Sequence, residues 1–276
     1  AGGLGFALPR GITRAGPLRD MGSCGCDVLC EVPAARWDTA QSVFELRYCT
    51  AEVARRIRHG AFLHSAQLFQ PDLFSISAAE AAAMDPQQRL LLERGYAALH
   101  DAGLAKDDLM GSVTAVKVGQ WASEFASVLM RSPARCSVYA ATGSQCSVTC
   151  GRVSFALGLH GPCASYDTAC SASLVASHAS LRALQRSECE MALSAGVNMI
   201  LDPETTRGNA VGGFTSALGR SHTFDMRADG YARGEAISTV ACRLPVSDGV
   251  QLHGSAIRQD GRSASLTAPN GQAQQG

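Results

Sequence analysis

Cys170 is the residue of this sequence whose type and setting could do covalent chemistry. It follows the apolar stretch Ala164-Ser-Tyr-Asp-Thr-Ala and precedes a segment in which Leu174, His178 and Leu181 recur at helical spacing, so it falls where a strand turns into a helix. At a helix start the unpaired N–H groups and the positive end of the dipole favour the thiolate, the nucleophilic form of cysteine. The placement is that of a nucleophile elbow, which holds a reactive atom out at the end of a sheet. Position alone leaves a second reading open, a packed structural thiol, which is how free cysteine commonly behaves.

The other candidates are weaker. There are eleven cysteines, an odd number without a secretory signal, so reduced thiols are expected rather than a disulfide framework. Cys24-x-Cys26-x-x-x-Cys30 could offer three zinc ligands, but no nearby histidine or paired CxxC completes a tetrahedral set, and no metal site is expected. Seven histidines are present. His178 stands eight residues beyond Cys170, about 12 Å along a helix, too far for direct proton transfer. His160 precedes the nucleophile strand and belongs to its opposite end, and His59, His64, His100 and His222 read as surface or structural residues.

Elements must hold Cys170 in place. From residue 112 onward, β-rich runs at 113–118, 136–140, 163–168, 190–198, 236–244 and 250–257 alternate with helical stretches at 121–130, 144–157, 171–186 and 203–212. Helices separate the first four strands, which could therefore run parallel. Only residues 245–249 separate the last two, which are expected to form an antiparallel hairpin. Upstream, Ser77-x-x-Glu80 has capping-box spacing for a short helix ending before Pro86. Asp85 and Gln88 are placed to cap a second helix, with Pro86 at its first position and Leu92, Tyr96 and Leu99 on one apolar face, running to Gly103. Residues 1–60, punctuated by glycine and proline, are expected to hold loops and short elements. The pattern points to a layered α/β fold.

Composition bounds the function classes. Of 276 residues 17% are charged and 46% are hydrophobic, which implies extensive burial, including a subunit interface. Lys plus Arg and Asp plus Glu both total 24, so nothing favours nucleic acid or an acidic membrane surface. No apolar run has the length of a membrane span and no signal peptide is evident, so the chain reads as soluble and intracellular, whether cytoplasmic or plastidial. It begins at Ala1 rather than Met and ends in a polar string, which suggests that both ends are arbitrary cuts.

Asp167-Thr-Ala-Cys-Ser-Ala-Ser-Leu-Val-Ala176 resembles the nucleophile motif of the β-ketoacyl synthases, in particular the ketosynthase domains of type I polyketide synthases. The rest of the chain agrees in order: Glu31-Val-Pro-Ala-Ala-Arg-Trp-Asp38, Met84-Asp-Pro-Gln-Gln-Arg-Leu-Leu-Leu-Glu93, Thr142-Gly143 and Gly151-Arg-Val-Ser-Phe155 before Gly161-Pro162. Then follow Ala195-Gly-Val-Asn198, Thr223-Phe-Asp225, Ala228-Asp-Gly-Tyr-Ala-Arg-Gly-Glu235, Gly254-Ser-Ala-Ile-Arg-Gln-Asp-Gly-Arg-Ser263 and Leu266-Thr-Ala-Pro-Asn-Gly271. The resemblance implies a thiolase-like fold with layers α-β-α-β-α, of which this chain is essentially the N-terminal half. Residues 1–24 form an irregular segment with a weak family match, 25–266 the synthase N-terminal domain, and 267–276 the start of a truncated C-terminal half. Four positions depart from the family pattern: Ala172 and Arg258 replace serine and asparagine, and Ala236 and Ser265 replace glycines. If the glycine at 265 served a positive φ, serine would strain that loop by about 1 kcal/mol or more.

The resemblance implies a two-stage reaction. Cys170 takes an acyl group from a carrier-protein thioester, then that group joins the carbanion of a malonyl-type extender that has lost carbon dioxide. One oxyanion donor could be the backbone N–H of Cys170. Family members carry the condensing histidines in two motifs beyond the point where this chain stops, so the chain alone is expected to be inactive in condensation and prone to aggregate through exposed apolar area. Supporting roles fall to Asp167, Thr168, Ala169 and Ser171 of the motif, and to Arg233 and Glu235. With Arg227 and Asp229 these last two suggest a salt-bridged turn near the site. Residues 142–147 lie, by resemblance, near the dimer partner's acyl pocket. Arg89 and Arg94 read as solvated arginines or as a docking face for a carrier protein. The expected partners are acyl carrier protein and a second copy; no cofactor is expected to bind, the substrates being carried on phosphopantetheine. The alternatives are a silent ketosynthase-like subunit that shapes a partner's pocket or binds carrier protein, and a thiolase-type acyltransferase.

Overall fold

A computed structural model describes residues 2–39, 50–121, 123–244 and 250–275. In chain order the elements are β1 (Gly3–Ala7), α1 (Ala15–Ser23), β2 (Cys30–Glu31), α2 (Ala51–Arg56), β3 (His59–Gly60), α3 (Ala78–Ala83), α4 (Pro86–Asp101), α5 (Lys106–Leu109), β4 (Thr114–Gln120) and α6 (Phe125–Met130). They continue as α7 (Ala140–Gly143), α8 (Cys146–Leu157), β5 (Cys163–Tyr166), α9 (Ala172–Gln185), β6 (Met191–Asn198), α10 (Pro203–Val211), β7 (Ala236–Arg243) and α11 (Gly271–Gln275).

Five strands make one mixed sheet in the order β1-β7-β6-β4-β5. β4 runs parallel to β5 and β6, while β7 runs antiparallel to both β6 and β1. Period-two alternation sends Val116 and Val118 of β4 to one face, where they pack with Leu91, Leu92 and Leu99 of α4 and Val153 and Leu157 of α8. Ala115 points the other way, into a smaller cluster with Ala183 and Leu184 of α9. Small residues on this second face let α9 lie close against the strands.

The α3–α4 junction follows its capping chemistry. Ser77 Oγ accepts from the Glu80 N–H at 3.1 Å, α3 stops at Ala83, and Asp85 Oδ1 accepts from the Gln87 N–H at 2.7 Å. Asp85 is fully buried, and burial pushes its carboxyl above the ordinary carboxylate range, against the pull of its bonds to Ser123 and Gln87. Gln88, expected as a cap, instead joins a buried polar network. Its Oε1 accepts from Arg152 Nε at 2.7 Å, and Arg152 pairs with Glu80 at 2.5 Å.

Three other expectations change. Residues 136–140 are not a strand: the 3₁₀ turn Pro133–Cys136 runs to Ser137, whose Oγ accepts from the Tyr139 N–H, and α7 begins at Ala140. Local turn chemistry overrode a β-rich run that pairs with no strand among the described residues: Tyr139 and Ala140 pack on the cluster of Ala83, Phe125 and Leu129, while Val138 is 85% exposed. The C-terminal hairpin also fails. Its turn, 245–249, lies outside the described residues, but 250–257 are described and form no strand. The antiparallel partner that β7 needs is supplied instead by β1, from the glycine-rich start expected to be irregular. Glycine is required there because a Cβ at Gly3 or Gly5 would overlap the α4 carbonyls of Ala98 or Arg94. Finally, Ser265 has no positive φ, so the serine in place of glycine strains nothing.

Candidate active site

Cys170 sits in a 3₁₀ turn, Ala169–Ser171, between the C-terminal end of β5 and the first residue of α9. The turn is tied by its own sequence. The Ala169 N–H donates to Asp167 Oδ1 at 3.1 Å, and Ser171 Oγ donates to Thr168 O at 2.9 Å and to Thr168 Oγ1 at 2.8 Å. Ala169 adopts φ 52, the left-handed region, which an alanine occupies only at a cost of about 1 kcal/mol. The strained residue therefore immediately precedes the nucleophile candidate. The side chain of Cys170 is exposed, so the packed-thiol reading does not describe it.

Cys170 opens on a cavity of about 920 Å³ between α9, β6, β7 and the loops at their C-terminal and N-terminal ends. Ser173, Leu174 and Ser177 of α9 form one wall, and Trp121, Phe214 and Tyr231 contribute aromatic surface. That mixture of apolar surface with polar groups is the lining of a site for a small molecule with an apolar part. Leu174, one turn after Cys170, is 73% exposed along this face.

Arg233 and Glu235 flank the cavity but do not pair with each other, nor with Arg227 and Asp229 as a salt-bridged turn. Arg233 pairs with the buried Glu124 at 2.6 Å, donates to Thr206 Oγ1 at 2.7 Å, and lies over the Trp121 ring at 5.5 Å. Glu124 also accepts from the backbone N–H groups of Leu201 and Asp202. Glu235, with its side chain fully buried, accepts from Arg36 at 2.9 Å and from the N–H groups of Leu63 and Ile200 at 2.7 and 3.0 Å. Two carboxylates thus fasten residues 36, 63, 200–202 and 233 to one another next to the cavity-lining stretch Tyr231–Gly234. Arg227 pairs instead with Asp225, whose carboxyl its hydrogen bonds hold down at about 2, and Asp229 accepts from the Ala217 N–H. Glu124 escaped the sequence reading because nothing local marks it, and Arg36 was read only as part of the motif Glu31–Asp38, without its partner; Trp121 and Phe214 carried no periodic signal.

Other named residues fall outside the cavity lining. His178 Nδ1 is 2.9 Å from Ser255 Oγ, and His160 stands before β5, at the far end of that strand from Cys170. Arg89 and Arg94 are half-buried on α4 rather than solvated, and burial lowers the pKa of Arg89. Cys24, Cys26 and Cys30 are exposed thiols; among the described residues no helix is long and apolar enough to cross a membrane.

Comparison with known proteins gives the site a context. A family model described as β-ketoacyl synthase, N-terminal domain, matches residues 3–243. A phenolphthiocerol/phthiocerol polyketide synthase of Mycobacterium tuberculosis is 40% identical over 99% of this chain, which covers 18% of that protein. The polyketide synthase GfsB of Streptomyces halstedii is 38% identical, with 5% of its length covered. The chain thus spans less than a fifth of these relatives. Among solved structures, the ketosynthase from module 6 of the bacillaene synthase of Bacillus subtilis 168 is similar with TM-score 0.85 at 27% identity, over 99% of this chain and 46% of that one. The oxazolomycin ketosynthase domain of Streptomyces albus is similar with TM-score 0.77 at 30% identity, over 87% of this chain and 42% of its own length. The fold is accordingly the layered, thiolase-like α/β fold that the motifs imply.

Proposed function

This chain belongs to the β-ketoacyl synthase family, spanning its N-terminal domain in the polyketide-synthase ketosynthase branch, and from that premise we propose that Cys170 is the acyl acceptor of a decarboxylative condensing enzyme. The observation that carries the reading is the exposed Cys170 on a strained turn, facing an apolar cavity large enough for an acyl chain.

The acceptor step balances as a transthioesterification. The Cys170 thiolate attacks the carbonyl carbon of an acyl thioester held on the phosphopantetheine arm of an acyl carrier protein. A C–S bond forms to Cys170, the bond to the pantetheine sulfur breaks, and the leaving thiolate takes up the proton that Cys170 gave up. The tetrahedral intermediate needs a donor for its oxyanion. Of the three amide groups of the turn, the Ala169 N–H goes to Asp167 and the Ser171 N–H to Thr168, which leaves that of Cys170 for the substrate. Asp167, Thr168 and Ser171 are then positioning residues, while Arg233 and Glu235 hold the rim. The residues described around Cys170 include no histidine, so this chain by itself supplies acyl acceptance and not the condensation with a malonyl-type extender.

A second copy is the proposed partner at the β5 edge. β5 ends the sheet with one side unpaired among the described residues, and Phe155 on the adjacent α8 is 90% exposed.

Intact-mass analysis after incubation with an acyl thioester tests the assignment. One acyl adduct is expected per chain, absent from Cys170→Ala. An adduct that persists in Cys170→Ala would overturn it, and carrier-protein binding without any adduct would favour a silent ketosynthase-like protein.

A further inference from the structure

We infer that Gly119 and Gly196 are positioning residues for the Cys170 thiol, a paired notch in the sheet that sets how closely the first turn of α9 approaches the strands. The inference rests on the reading of Cys170 as acyl acceptor. The two glycines come from different strands, 77 residues apart, yet the parallel pairing of β4 with β6 makes them register partners. Both belong to the cavity lining, with Ser173 of α9 above them.

The fit leaves no room for a side chain. A Cβ built on Gly119 would stand 2.5 Å from the Ala172 carbonyl oxygen and would overlap the Ala172 carbonyl carbon and the Ser173 nitrogen as well. These are backbone atoms, two and three residues after Cys170, and cannot swing aside as a side chain can. A Cβ on Gly196 would stand 2.6 Å from Ser173 Cβ, with the Ser173 Cα at 3.7 Å. Neither glycine has a positive φ, so backbone freedom does not explain them. Close approach does.

One turn further along, the same two elements are held by a hydrogen bond between Ser177 Oγ and Ser194 Oγ at 2.9 Å. The start of α9 is therefore seated by contact at the notch and latched at the next turn. Cys170 lies two residues before the first of the seated residues. To admit a Cβ at 119 to an ordinary contact distance, the Ala172–Ser173 backbone must rise by about 1 Å, and the Cys170 sulfur and amide move with it. A displacement of that size at a reacting atom costs on the order of a hundredfold in rate.

The experiment compares Gly119→Ala, Gly196→Ala, Ser173→Gly and the double variant Gly196→Ala with Ser173→Gly. Each is read by acyl transfer to Cys170 from an N-acetylcysteamine thioester and by the pH dependence of Cys170 alkylation with iodoacetamide, located by peptide mass; circular dichroism checks folding. Gly119→Ala is expected to stay folded, to lose roughly a hundredfold in acyl transfer, and to shift the alkylation midpoint as the turn's backbone dipoles move relative to the sulfur. Gly196→Ala is expected to lose roughly tenfold or more, and removal of the opposing Ser173 Cβ in the double variant to restore the rate to that of Ser173→Gly. A folded Gly119→Ala with wild-type transfer and pH profile would overturn the inference, as would a Gly196→Ala defect that Ser173→Gly does not relieve. Should Gly119→Ala fail to fold, the Gly196 and Ser173 cycle decides alone. If the wild-type protein accepts no acyl group, the acyl-acceptor reading fails, and alkylation still decides whether the notch sets the thiol.

Discussion

Glu235→Gln changes the volume of its site hardly at all, which makes it a sensitive probe of the buried clamp. The wild-type carboxylate, wholly shielded from solvent, accepts four hydrogen bonds. Oε1 takes Arg36 Nε at 3.2 Å and the Ile200 N–H at 3.0 Å; Oε2 takes the second Arg36 nitrogen at 2.9 Å and the Leu63 N–H at 2.7 Å. An amide turns one oxygen into a donor. Whichever way the Gln amide is placed, one guanidinium bond and one backbone N–H bond become donor against donor. The longer pair, at Oε1, is the one to be sacrificed. Stranding a buried backbone N–H costs about 1–3 kcal/mol, and loss of a charged bond about 1.5–3 kcal/mol. Arg36, with its side chain 15% exposed, recovers part of the second cost from water. The expected destabilisation is about 3–4 kcal/mol, a sizeable part of the roughly 5–15 kcal/mol that holds a domain folded. With a urea slope of about 3 kcal/mol/M the unfolding midpoint should fall by about 1 M. Equilibrium urea denaturation at pH 7, followed by circular dichroism, reads that shift directly. A loss below about 1 kcal/mol, with an unchanged slope, would refute the idea that this carboxylate is what ties residues 63 and 200 to the cavity rim.

Two further outcomes follow from the turn and from the rim. Ala169→Gly removes the cost of a left-handed alanine and is expected to raise stability by about 0.5–1 kcal/mol in the same urea assay, while acyl transfer to Cys170 slows because the turn is no longer confined. In the exposed Asp225–Arg227 pair, hydrogen bonds from Arg227 lower the carboxyl from its ordinary 3.8 to about 2. A depressed carboxylate contributes stability above the unfolded value that is lost as pH falls from about 4 through about 2. NMR titration should place Asp225 near 2 in the wild type and return it towards 3.8 in Arg227→Ala; an unmoved value would refute the assignment of the shift to Arg227.

Much of the helical framework was legible because its signals are local. Ser77 and Asp85 state where helices start through bonds made within three residues, Pro86 through its fixed φ at the first helical position, and the structure places α3 and α4 accordingly. Boundaries of β4, β6 and β7 moved by two residues or fewer, since short β-rich runs between helical stretches announce strands even where Lys117, Ser194 or Thr239 interrupts the apolar pattern. The run at 136–140 carried the same signal and became a turn, because strand propensity needs a neighbouring strand and this one has none. The opposite error befell residues 3–7, where glycines that look like loop punctuation are there to admit the α4 backbone.

By itself, then, the sequence determined the family, through a collinear series of motifs, and the place of Cys170, through a strand-to-helix change of period around it. Both are written in consecutive residues. What only the tertiary structure decided are the relations between distant ones: Arg233 with Glu124, Glu235 with Arg36, Leu63 and Ile200, Gly119 beside Gly196, and β1 rather than a C-terminal hairpin strand as the partner of β7. Spacing along the chain carries no information about such pairs. Charge partners and close approaches are chosen by the register and direction of strands, and these are settled only when the whole sheet buries its two faces at once.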